Sequence, residues 1–205
     1  MSGAEPDLGR RALGLRLCAL AMFVTTLAAP ACASSPYRDT LDDWTRSEDV
    51  YSNAQARAMV RATLETAPFR RAYVDEYARL FALTAEQRAA LLEAQLDESD
   101  GTWVVIVALY TADTSWNDIT PSRAMWEVRL EGPNGWLPPK RVKRLDRKNP
   151  TWKRLFPYFG VHFRLFELRF DRGLTPDTPL ARAGQPLSLV IAGAVAQMRL
   201  SWVLP

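Results

Sequence analysis

The chain has 205 residues, 48% of them hydrophobic and 24% charged, which is enough for one core with an appended helical subdomain. Its 2 cysteines and single histidine exclude a cysteine-built metal centre and zinc hydrolysis, which commonly uses several His ligands. The net charge of +3 hides an asymmetry: residues 33–100 carry 8 Lys/Arg against 13 Asp/Glu, and residues 101–205 carry 15 against 8. Such a split marks an interaction surface or two elements that attract each other.

Residues 1–31 read as an export leader. Arg10, Arg11 and Arg16 precede the uncharged run from Leu17, which closes on Ala29-Pro30-Ala31-Cys32. The apolar core is near fifteen residues and ends at Pro30, short of the roughly 20 that a spanning helix needs. The Ser/Thr expected before a twin-arginine pair is Gly9. The Ala-Pro-Ala-Cys ending resembles the lipobox of bacterial lipoproteins, although Ala29 stands where Leu is usual and Pro30 where a small residue is usual. The resemblance implies that Cys32 is lipidated and becomes the mature N-terminus; plain cleavage after Ala31 or Ala33 is the alternative. Cys18 lies inside the leader, so Cys32 has no disulfide partner, and a lone cysteine at a cleavage site suits lipid attachment better than half a bridge. With no Asp after Cys32, the resemblance favours the outer membrane.

Residues 32–39 form the predicted tether, and residues 40–100 a helical segment. Ser47-Glu48-Asp49 supplies an N-cap and first-turn carboxylates for a first helix, with Val50, Ala54, Ala58 and Leu64 at helical spacing and Pro68 as its limit. Phe69, Tyr73, Tyr77 and Phe81 make the stripe of a second helix, and Thr84 with Gln87 makes a capping box for a third, running to about Leu96.

Residues 101–205 change to strand patterning. Thr102–Thr111 is a continuous β-branched and aromatic run, as in a strand covered on both faces. Trp126, Val128 and Leu130 alternate with Glu127, Arg129 and Glu131, and Pro133-Asn134-Gly135 follows as a turn. Pro138-Pro139 interrupts the next strands, which suits an edge. Over Val161–Asp171 the apolar phase slips at Leu165-Phe166, predicting a bulge or a strand covered first on one face and then on the other. Leu187–Ala192 and Val195–Leu204 form a last hairpin around Gly193. The predicted class is α+β: an N-terminal helical segment and a C-terminal antiparallel β-sandwich of six or seven strands.

No catalytic set is evident. His162 stands alone on a predicted strand, without a Gly-x-Ser-x-Gly elbow. Asp39, Asp42 and Asp43, and Asp97, Glu98 and Asp100, lack calcium-loop spacing. No metal or cofactor is expected. The one conspicuous feature is cationic: Lys140, Arg141, Lys143 and Arg144, then Arg147, Lys148, Lys153 and Arg154, with Asp146 the one acid and Trp136, Trp152, Phe156 and Tyr158 interleaved. Three readings fit it: a site for an anionic envelope lipid, glycan or acidic protein; a solvated edge strand whose cations discourage sheet pairing; and a basic edge covered by the acidic helices. Nucleic acid is set aside because the chain is exported. The expected function is therefore a non-enzymatic envelope lipoprotein that binds or scaffolds at a membrane. A soluble periplasmic ligand-binding protein and a carboxylate hydrolase stand behind it.

Overall fold

Residues 35–121 and 125–205 are described by the computed structural model; the predicted leader, Cys32 and the first part of the tether lie outside them. Helix α1 (Pro36–Trp44) starts within the predicted tether. Ser35 accepts from the Arg38 N–H as its N-cap, and Pro36 occupies a first-turn position that needs no donor.

The predicted first helix is not formed. Residues 45–64 instead make an antiparallel hairpin of β1 (Thr45–Ser52) and β2 (Gln55–Leu64). Ala58, Val60, Ala62 and Leu64 alternate on one fully buried face of β2, a period of two that small alanines disguise. The turn is equally disguised. Asn53 and Ala54 have φ of 49° and 62°, the left-handed pair of a tight hairpin, with alanine where glycine is usual.

Helix α2 (Ala67–Phe81) opens with Thr66 as N-cap and Pro68 in its first turn, so Pro68 begins this helix rather than ending an earlier one. Phe69, Tyr73, Tyr77 and Phe81 follow one another along it with ring centroids 4.4–6.3 Å apart. Helix α3 (Ala85–Gly101) has both bonds of the Thr84–Gln87 capping box and continues through residues 97–101, where a stop was predicted.

The remaining elements are β3 (Thr102–Thr111), β4 (Trp126–Gly132), β5 (Gly135–Leu137), β6 (Arg141–Leu145), α4 (Pro150–Leu155), β7 (Arg164–Asp171), β8 (Gly173–Thr175), β9 (Thr178–Pro179), β10 (Pro186–Gly193) and β11 (Gln197–Val203). The larger sheet runs β1-β2-β3-β7-β6 and the second runs β11-β10-β4-β5; β8 and β9 form a small ribbon. All recorded pairings are antiparallel, so the class is α+β with antiparallel sheets. The boundary predicted at residue 100 does not hold, because β2 from its N-terminal side pairs with β3, and β1 joins the same sheet through β2. Pro138-Pro139 marks the crossing from the edge of one sheet to the edge of the other.

The larger sheet is covered on both faces. Val105, Val107, Leu109, Phe166 and Leu168 belong to a core shared with Leu130, Leu189 and Leu200 of the second sheet. Ile106, Ala108 and Leu165 belong to a second core with Tyr37, Leu41 and Phe69 of the helices. This explains the phase slip at Leu165-Phe166: β7 keeps its register with β3 throughout, Phe166, Leu168 and Phe170 face the core between the sheets, Leu165 joins the helix-side core from the opposite side, and Val161 and Phe163 lie before the strand.

Candidate functional site

β6 is the outer strand of the larger sheet, and it carries the first half of the cationic stretch. Paired residues share a face, so Val142, opposite Leu168, points to the core between the sheets, and Arg144, opposite Phe166, shares that side. Arg141 and Lys143 lie on the other side, opposite Arg169 and Glu167. Lys140 pairs with Asp171 at 2.8 Å. Among the described residues no carboxylate lies within salt-bridge distance of the other seven cations of the stretch.

The stretch is not one surface. Trp136 is exposed on β5, the edge of the other sheet. Trp152 is half-buried against the helix-side core, 6.1 Å from Phe156. Lys153 and Arg154 are exposed on α4. Arg141, Lys143 and Arg144 of β6 are exposed, and Glu98 of α3 is held instead by Arg169 of β7 and by Arg70, whose Nη1 donates to Glu98 Oε2 at 2.7 Å. Asp39, Asp42, Asp43, Asp97 and Asp100 are exposed.

Where β6 ends, three guanidinium groups come together. Arg144, Arg147 and Arg164 line two adjoining clefts of about 460 and 610 Å³. Arg164 opens β7 and is in register with Leu109 of β3. Arg147 donates to the Val161 carbonyl. The opposite wall is formed by Tyr110, Asn117 and His162. His162 is exposed and sits in the turn before β7, not in a strand as predicted, with its ring 6.4 Å from Tyr110.

Asn117 is buried and donates from Nδ2 to the His162 carbonyl at 3.2 Å; its Oδ1 has no partner among the described residues. Asp113 and Asp118 each bend the loop by accepting from the N–H and hydroxyl two residues on, at Ser115 and Thr120. Asp118 lies 3.6 Å from Arg164. Burial works against its charged form, but the Thr120 donors and the charges of Arg164 and Arg144 outweigh it and hold the carboxyl below its usual range.

Sequence reasoning missed Asn117 and Arg164. The signals available were the two Asp-x-Ser/Thr turns and an arginine at the start of a strand, none of which points to a cleft until the strands are assembled.

No protein-family model matches the chain, and neither the curated proteins nor the solved structures contain a match to it.

Among the described residues no helix is long and apolar enough to cross a membrane, and no three His, Cys, Asp or Glu side chains group as metal ligands.

A second charged cluster lies inside the protein. Arg70 is fully buried and donates to the Glu65 carbonyl, the Gln95 carbonyl and side chain, and Glu98. Glu65 lies 3.3 Å from it and is 13% exposed; burial pushes its carboxyl up to about 7 despite Arg70. The cluster ties α2 and α3 to the sheet, since Arg169 of β7 also holds Glu98.

Proposed function

We propose that this protein is a non-enzymatic lipoprotein of the cell envelope, anchored through Cys32 at the periplasmic face of the outer membrane. Its two main sheets form an antiparallel sandwich that serves as a binding or structural module for an anionic lipid or glycan, or for an envelope protein.

One observation carries the reading. The Tyr37 hydroxyl donates to the Leu155 carbonyl at 2.8 Å, so the start of α1 lies against α4 and its exposed Lys153 and Arg154. In this reading a lipid on Cys32 is the anchor, and the exposed Lys153 and Arg154 of α4 add attraction to an anionic surface. Exposed Arg141 and Lys143 on one side of β6 add a second cationic surface.

The test is the mass of the native N-terminus together with vesicle sedimentation. A diacylated Cys32, and a loss of anionic-vesicle binding in Lys140→Ser/Arg141→Ser/Lys143→Ser made in the unlipidated protein, are the expected results. A plain N-terminus in a soluble periplasmic fraction replaces the anchor with a soluble ligand-binding protein.

A further inference from the structure

We infer that the cleft between β6, β7 and the loop after β3 binds a phosphoryl group through Arg144, Arg147 and Arg164. The inference rests on the reading that the cationic stretch meets an anionic partner, and it names the chemistry and the place. Arg144 and Arg164 are diagonal neighbours on one face of adjacent strands, and Arg147 is held over the same cleft by the Val161 carbonyl. Each guanidinium carries five N–H donors. Among the described residues one bond from Arg147 is the one hydrogen bond that the three side chains make. Arg164 has Asp118 at 3.6 Å, an ion pair that orients it without taking up its fork.

The acids of the site are already committed. Asp118 is taken up by Thr120 and Arg164, and Asp146 accepts from the Lys148 N–H. With Lys148 added, the cations outnumber the acids, and like charges this close repel one another unless an anion joins them. A carboxylate is satisfied by one bidentate arginine; three converging guanidinium groups match the several oxygens of a phosphoryl dianion. The cleft of about 610 Å³ is larger than phosphate alone, and Tyr110, Val161 and His162 line the part facing away from β6. The ligand is therefore a phosphate monoester whose organic part lies along that wall.

The source is either a soluble phosphate ester or a lipid headgroup, and calorimetry on the full mature protein separates the two. The probes are inorganic phosphate, glycerol 3-phosphate, and phosphatidylcholine vesicles with or without phosphatidic acid. Binding of glycerol 3-phosphate identifies a soluble ester; binding only to phosphatidic acid vesicles identifies a headgroup in the cleft where Lys140→Ser/Arg141→Ser/Lys143→Ser retains it, and overturns the inference where that variant abolishes it. Arg144→Ser/Arg147→Ser loses affinity about tenfold or more, as expected for lost charge-assisted bonds. Arg144→Lys/Arg147→Lys guards against misfolding: it keeps the charge, loses the fork and gives a smaller loss. Lys140→Ser/Arg141→Ser/Lys143→Ser stays within about twofold for glycerol 3-phosphate even where it abolishes anionic-vesicle binding, so the cleft and the membrane-facing surface fail separately. No binding in any arm, or unchanged affinity in a folded Arg144→Ser/Arg147→Ser protein, overturns the inference.

Discussion

Replacing Arg70 by Met tests whether the buried charge cluster is held by that arginine. The substitution keeps an unbranched chain in a fully enclosed space. It removes bonds of 3.2, 3.0, 2.9 and 2.7 Å to Glu65, Gln95 and Glu98. Glu98 retains Arg169, so the stranded charge is Glu65. Removing one partner of a buried pair costs about 3–5 kcal/mol, and at about 2–4 °C per kcal/mol for a body of this size the melting temperature falls by about 6–20 °C at pH 8. The loss is smaller at pH 5, because Glu65 escapes by taking a proton.

The unsubstituted protein supplies the sign. The Glu65 carboxyl is raised from 4.5 to about 7 in the fold, so its contribution is fully present below pH 4.5 and is lost as pH rises through 7. That interval corresponds to about 3 kcal/mol, and Glu65→Gln removes this slope. Carboxyls held low, such as Glu98, Asp118 and Glu131, lose their contributions below pH 4.5 and stay out of the window. Urea unfolding followed by the fluorescence of the 7 tryptophans at pH 5 and pH 8 measures all three proteins. A loss below about 1 kcal/mol for Arg70→Met at pH 8, an equal loss at both pH values, or an unchanged slope in Glu65→Gln refutes the reasoning.

Two further outcomes follow from the packing. Gly132→Ala places a methyl against the Leu180 backbone carbonyl, where no flexible side chain can yield, and is expected to cost about 1–3 kcal/mol or more in urea melts. Glu48→Ala/Arg46→Ala frees the Arg199 N–H and the Ser201 carbonyl on the outer strand of the second sheet, and light scattering is expected to show self-association that the parent lacks; a monodisperse variant removes that role for β1.

Most of the β-rich half was legible because burial there leaves an unambiguous period. β3 is apolar on both sides because a second sheet and the helices cover it, while β4 and β11 alternate because one face is wet. The capping box of α3 and the aromatic stripe of α2 are local features and appeared where expected. The hairpin at residues 45–64 was not legible, since alanine serves helix and strand alike and the Asn53-Ala54 turn lacks the usual glycine. The cationic stretch was legible as charge but not as geometry. Its members divide among β5, β6, the following turn and α4, and Arg164 joins Arg144 and Arg147 only through strand pairing.

The outer strands β11 and β6 are treated in opposite ways, and this bears on the proposed anion site. On one side, Glu48 accepts from the Arg199 N–H and Arg46 donates to the Ser201 carbonyl, so β1 side chains occupy the outward hydrogen-bonding groups of β11. On the other, β6 keeps an outer edge flanked by exposed Arg141, Lys143 and Arg144. Protection against sheet-to-sheet pairing explains cations along β6, but it does not explain Arg147, past the end of that strand, or Arg164, on the inner strand β7, both lining one cleft with Arg144. The edge-strand explanation therefore accounts for Arg141, Lys143 and Arg144 as members of β6 and leaves the gathering of Arg144 with Arg147 and Arg164 in one cleft, which is what the proposed anion site explains.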